Sequence, residues 1–175
     1  AGFLNNFILT WQITSDYNLS FLAGFTEEPL KFLAFMLFIY SKADFNEPMD
    51  AIVYGTVISL GFATYENIEY VYLMNSNQSL EIAILRAMSA IPLHASCGVI
   101  MGYYIGLYTF KGLNKYLIKA LFFPIAIHAM YNFLTGFGLI FLVYLAGVIF
   151  FANILHKRYV FEQQNKSLEY EQRLK

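Results

Sequence analysis

Long apolar stretches separated by short polar breaks organise this chain. A membrane-crossing helix needs about 20 mostly apolar residues. Five stretches supply them, over 19–41, 50–73, 80–109, 115–135 and 137–156. Residues 1–18 read as an amphipathic lead-in, and 157–175 as a charged tail, helical or frayed. The breaks are chemically distinct. The segment 41–50 holds Asn46, Pro48 and four charges. Asn75-Ser76-Asn77-Gln78-Ser79 is a polar turn whose last residue can cap a following helix. Lys111-Gly112-Leu113-Asn114-Lys115 separates the third and fourth stretches, and Thr135-Gly136-Phe137-Gly138 makes a tight turn before the fifth. The pattern predicts an all-α fold, a polytopic transmembrane helical bundle forming a single domain over 1–156. There is no internal repeat and no low-complexity segment.

Composition strengthens that reading. Hydrophobic residues make up 58% of the chain and charged residues 13%, against about 25% charged in an average soluble domain. The charges concentrate at one end: Lys157, Arg158, Glu162, Lys166, Glu169, Glu171, Arg173 and Lys175 fall in the last twenty residues. A net charge of −1 without a basic patch argues against a nucleic-acid partner. The Phe and Tyr residues read as lipid-facing and interfacial side chains. One cysteine, Cys97, excludes an intrachain disulfide. The chain opens at Ala1 without the charged, apolar and small-residue regions of a signal peptide. It is read as a trimmed piece with room for further helices upstream.

Lys and Arg asymmetry predicts orientation. Lys42 lies in the first loop, Lys111 and Lys115 in the third, with Lys119 close by, and Lys157 and Arg158 in the tail. If the five helices alternate, these segments share one side, and the opposite side has no Lys or Arg in its loops. The first loop, the third loop and the tail are therefore placed in the cytoplasm.

Several charges fall inside the proposed spans: Glu27, Glu28, Lys31, Glu66, Glu69 and Arg86. Each costs roughly 2.5–3.5 kcal/mol at mid-helix on insertion scales, so each needs a partner and usually has a use. At a rise of about 1.5 Å per residue, Glu27, Glu66 and His128 all come to lie roughly 10–12 Å below the outer boundary. His94, fourteen residues into its stretch, is expected nearer the midplane. Helical faces agree. Lys31 lies i+4 from Glu27 and i+3 from Glu28, close enough to neutralise one carboxylate. His128 and Asn132 share a face. Arg86, Ala90, His94, Gly98, Gly102 and Gly106 recur every fourth residue, a small-residue stripe that admits a neighbouring helix. Gly55, Ser59, Ala63 and Asn67 form a similar stripe beside Glu66.

A carboxylate beside a group that polarises a carbonyl is the minimum for hydrolysing an amide with water. Glu takes a proton from water as general base, while His, Asn or a metal stabilises the oxyanion. Two His and a Glu are also a catalytic zinc set with a fourth position for water. Spacing alone does not separate the two schemes, because the groups come from different helices.

Glu27-Glu28-Pro29-Leu30-Lys31 forms an EExxK motif, Gly61-Phe62-Ala63-Thr64-Tyr65-Glu66-Asn67 a GFAxxEN motif, and His128-Ala129-Met130-Tyr131-Asn132 an HxxxN motif, with His94 between the last two. In this order the motifs resemble the PrsW family of intramembrane proteases, relatives of the type II CAAX prenyl proteases and the CPBP group. The resemblance runs from Glu27 to Asn132. It implies a polytopic helical fold that cleaves membrane-anchored protein substrates, such as an anti-sigma factor, near the extracytoplasmic side. It also implies that the first acidic pair supplies the base and that the histidines bind a metal or form the oxyanion site. The chain departs from the CAAX pattern, which usually has FxxxH where Phe62 is followed by Glu66 and Arg near the place of Lys31. A carboxylate thus stands where that group has an imidazole, as a metal ligand or the second member of an acid pair.

On this reading Glu27, Glu28, Glu66, His94, His128 and Asn132 carry the chemistry, with Lys31, Asn67 and Arg86 in support. Glu66, His94 and His128 are the expected ligands if zinc is bound. Simpler roles compete: Glu66 as a partner for Arg86, the histidines and asparagines as interhelical hydrogen-bonding groups, Cys97 as an ordinary buried thiol. Glu69 and His156 read as interface residues. Two other functions fit the same composition, a non-catalytic scaffold of this fold and a proton-coupled carrier. A carrier favours inverted repeats or broken helices, and no repeat is found.

Overall fold

A computed structural model describes residues 21–74 and 79–173 of the chain. The expected lead-in over 1–18 and the polar residues 75–78 lie outside the described residues. Within them every regular element is helical. The helices are α1 (Leu22–Phe38), α2 (Pro48–Ile68), which continues as a π-helical segment (Glu69–Met74), α3 (Ser79–Met88), α4 (Ala90–Lys111), α5 (Lys115–Leu134) and α6 (Leu139–Arg173).

Local chemistry explains most boundaries. At the start of α2, the Asp50 carboxylate accepts hydrogen bonds from the amides of Asn46 and Glu47 at 3.1 and 2.8 Å. Pro48 occupies the first turn, where its missing N–H costs nothing. Gly112 closes α4 in the left-handed conformation at φ 68°, and Gly138 turns the chain into α6 at φ 53°. Both conformations favour glycine, and both turns fall where the polar breaks place them.

At one point the helices differ from the expected stretches. The stretch 80–109 is not one continuous helix. Ser89 leaves helical geometry at φ −125°, ψ −61°. Pro92 has no amide to offer the Met88 carbonyl, and its ring crowds that oxygen, so the chain bends there. Of the two readings of the charged tail, helical or frayed, the described part is helical and continuous with α6, which runs 35 residues without interruption. No Gly or Pro lies between Val148 and Arg173 to stop it.

Among the described residues, three helical stretches are long and apolar enough to cross a membrane by length and composition: Leu80–Lys111 (α3 and α4 together), Lys115–Leu134 and Leu139–Gln164. Helix α1, at 17 residues, carries Glu27, Glu28 and Lys31. It packs beside these helices, as does α2. The small-residue stripes make this packing close. A Cβ on Gly98 would stand 2.6 Å from the Gly55 carbonyl oxygen, and one on Gly102 would collide with the Ala51 carbonyl. Helix α2 therefore lies against α4 backbone to backbone. Gly24 brings α1 equally close to α5, within 2.6 Å of the Ala129 amide nitrogen for an added Cβ.

A core of Phe35, Ile52, Ile100, Met101, Ile105, Leu155 and Tyr159 fills one half of the bundle. Lys111 pairs with Glu162 at 3.1 Å, and Gln163 donates to Glu47 at 2.8 Å. The first loop, the third loop and the extended α6 thus meet at one end of the bundle.

Candidate active site

The acids and histidines singled out in the sequence converge in the apolar interior of the bundle. Glu27, Glu28 and Lys31 come from α1, Glu66 from α2, Arg86 from α3, His94 from α4 and His128 from α5. Glu28 and Lys31 are fully buried, and Glu27, His94 and His128 are no more than 2% exposed. Burial without water makes each interaction stronger and each unpaired charge costlier.

Pairing within the cluster is specific. Lys31 Nζ donates to Glu28 Oε1 at 2.6 Å and to His94 Nδ1 at 2.8 Å. His128 Nδ1 donates to the same Glu28 oxygen at 2.8 Å. His94 Nε2 donates to Glu66 Oε2 at 2.9 Å, and Arg86 Nη2 lies 2.9 Å from that oxygen. A carboxylate accepts and an ammonium donates, so these partners set the tautomers. The nitrogen bearing the lone pair is Nδ1 in His94 and Nε2 in His128. Glu27 differs from the other two acids. Its ion-pair distances to Lys31 and His128 are 3.6 and 3.9 Å, beyond hydrogen-bond range.

Glu27, His94 and His128 each offer one ligand atom, and these atoms lie within 4.8 Å of one another. The carboxylate that joins both imidazoles is thus Glu27, whereas Glu66, expected from the sequence, sits behind His94 as its hydrogen-bond partner. The imidazole rings meet edge to face with centroids 5.0 Å apart. Two imidazoles and one carboxylate suit a catalytic divalent ion, with a position left for water. Glu66 and Glu28, bonded to the opposite ring nitrogens, are the outer carboxylates that such histidines usually have. The residues present therefore fit a metal.

His94 is not deeper than the rest. The bend at Ser89 restarts the helix at Ala90, so His94 lies in the second turn of α4, level with Glu27 and His128. Asn67 accepts a hydrogen bond from Arg86 Nε, which holds the guanidinium over the Tyr70 ring at 4.2 Å. Asn132 is half-buried one turn beyond His128. Three contributors had no clear sequence signal of their own role. Ser59 Oγ donates to the His94 carbonyl at 2.6 Å and ties α2 to the turn bearing the imidazole. Gly24, one turn before Glu28, permits the approach of α1 to α5 that lets Glu28 reach His128. Phe62 presents its ring to Lys31 Nζ at 5.6 Å.

Residues 1–155 match the family described as PrsW family intramembrane metalloprotease. The chain belongs to the PrsW family. Among curated relatives it is 34% identical over 140 residues to Protease PrsW of Clostridioides difficile, covering 75% of this chain and 59% of that one. It is 42% identical over 123 residues to Protease PrsW of Bacillus subtilis, covering 68% and 55%. A third Protease PrsW, from Oceanobacillus iheyensis, is 36% identical over 142 residues, covering 74% and 63%. The chain thus spans between half and two thirds of the length of these relatives. No solved structure matches it. Membership of the family and the long apolar helices make this an integral membrane protein of all-α architecture.

Proposed function

We propose that this chain carries the catalytic centre of an intramembrane endopeptidase that hydrolyses peptide bonds of membrane-anchored proteins, an anti-sigma factor being one such substrate. The observation that carries this reading is the grouping of Glu27, His94 and His128 within 4.8 Å, in an apolar bundle where acids and imidazoles are expensive to keep.

Glu27 is the working acid. Glu28 and Glu66 are engaged at 2.6–2.9 Å by Lys31, His128, His94 and Arg86, while Glu27 stands 3.6 Å or more from its charged neighbours. One oxygen of its carboxylate takes a proton from the attacking water as general base, and the other is the ligand atom it offers to a metal. A divalent ion, zinc on the character of the donors, would be held by Glu27, His94 and His128. It would polarise the scissile carbonyl and acidify bound water. Glu28 fixes the His128 ring and Glu66 the His94 ring. Lys31 and Arg86 offset the negative charge, and Asn67 steadies Arg86. Asn132, one turn from His128, supports the oxyanion. The surrounding helices exclude bulk water, which strengthens every one of these interactions.

The end where Glu47, Lys111 and Glu162 meet is assigned to the cytoplasm by its Lys and Arg content. Cleavage then falls nearer the extracytoplasmic face of a bacterial cytoplasmic membrane. The test is co-expression with a single-pass membrane substrate, replacing Glu27, Glu28, Glu66, His94 and His128 singly. Loss of the cleaved product in the Glu27, His94 and His128 variants supports the reading. Undiminished product in all five overturns it and leaves a scaffold or carrier.

A further inference from the structure

Lys31 has a role beyond balancing the charge of the acidic pair. Its ammonium is fully buried and lies 2.6 Å from Glu28 Oε1, 2.8 Å from His94 Nδ1 and 3.6 Å from Glu27 Oε2. Two of those three contacts, His94 and Glu27, belong to the donor group that would take a metal. The contact to His94 is the informative one. Glu66 holds the Nε2 proton, so Nδ1 carries the lone pair, and Lys31 donates a hydrogen to it. A lone pair that receives an N–H cannot at the same time bind a cation.

We propose that Lys31 is the resident cation of the metal-free site and competes with a divalent metal for His94 Nδ1. This inference rests on the metal-binding reading above. In the metal-free protein the ammonium supplies the positive charge that buried Glu27 and Glu28 require. On metal entry Lys31 gives up His94 and keeps Glu28, its shorter contact. All three of its protons stay on nitrogen, and His94 keeps its Nε2 proton on Glu66. The bundle can then insert and pack before any metal arrives. Apparent metal affinity is lowered by the fraction of molecules in which Lys31 has already left Nδ1.

The test is zinc titration of the purified full chain in detergent by calorimetry, with melting temperature recorded with and without zinc. Lys31→Gln is expected to bind zinc at least about tenfold more tightly than the unmodified chain, in proportion to the closed fraction removed. It is also expected to melt lower without zinc and to gain more from zinc. His94→Gln is expected to erase the affinity gain. Should Lys31→Gln fail to fold, the double variant Lys31→Gln with Glu28→Gln, which removes one charge of each sign, is compared with Glu28→Gln alone. The same tightening is expected. A purely structural Lys31 would weaken zinc binding when replaced, so equal or weaker affinity in the Lys31 variants overturns the competition while the metal reading stands. Absence of zinc binding by every form overturns both.

Discussion

Glu66 Oε2 stands 2.9 Å from His94 Nε2, joining α2 to α4 behind the donor cluster, with Arg86 Nη2 at the same distance on its other side. The carboxylate therefore selects which His94 nitrogen carries the proton. Replacing Glu66 with Ala is expected to release the ring and cost roughly 10–100-fold in zinc affinity, the usual penalty for losing an outer partner of a ligating histidine. Glu66→Gln, which retains an acceptor oxygen, is expected to lose less. Zinc titration of the two variants checks the order.

Gly24 decides how near α1 comes to α5. A Cβ there would meet the Ala129 amide nitrogen at 2.6 Å and the Ile125 carbonyl at 2.9 Å, both rigid backbone atoms. Gly24→Ala is expected to push the helices apart, to cost about 1–3 kcal/mol as overpacking does, and to weaken the Glu28–His128 bond one turn away. Gly61 is the control. Nothing lies within 4 Å of its added Cβ, so Gly61→Ala is expected to leave stability unchanged or slightly raised. Thermal unfolding in detergent compares them.

Much of the fold and the cluster was legible because the chain advertises it locally. Helical spacing alone puts Lys31 beside Glu27 and Glu28, and the Gly98 and Gly102 stripe marks the face that meets α2. The three motifs and His94 name most of the converging residues and their order. What spacing could not supply was relative placement across helices. Whether Glu27 or Glu66 joins the two imidazoles depends on how α1, α2 and α5 are rotated about α4, and no local pattern encodes that. Counting depth from residue 80 takes the helix as continuous, whereas it breaks at Ser89, five residues before His94, with Pro92 two residues before it. The charged tail reads as helical or frayed, and charges at helical spacing such as Arg158 and Glu162, 3.6 Å apart, let α6 continue into it.

Ser59 gives a separate test of how α4 is held. Its hydroxyl donates to the His94 carbonyl at 2.6 Å and is buried. Ser59→Ala removes the donor and leaves a carbonyl short of one partner. The expected loss is about 1 kcal/mol of stability, read as a lower melting temperature. Protease activity is expected to fall by more than the lost stability accounts for, because Ser59 acts on the turn that carries the imidazole.

At the charged end, Lys111 and Glu162 pair at 3.1 Å but remain 47% and 34% exposed along their side chains. Lys111→Ala is expected to shift stability by less than about 1 kcal/mol, as exposed pairs do, with no effect on cleavage. A melting curve and a product assay on the same preparation check this.

If Glu27 takes the proton from water, as proposed, its carboxylate and not its volume sets the cleavage rate. Product formation from a single-pass substrate, co-reconstituted in vesicles with the unmodified chain, Glu27→Gln or Glu69→Gln, measures it most directly. Glu27→Gln is expected to lower the rate by about 10²–10⁴-fold, the contribution of a positioned general base, while melting near the unmodified temperature. Glu69→Gln, outside the cluster, is expected to cleave normally. A folded Glu27→Gln protein that forms product at the unmodified rate would rule out Glu27 as the base.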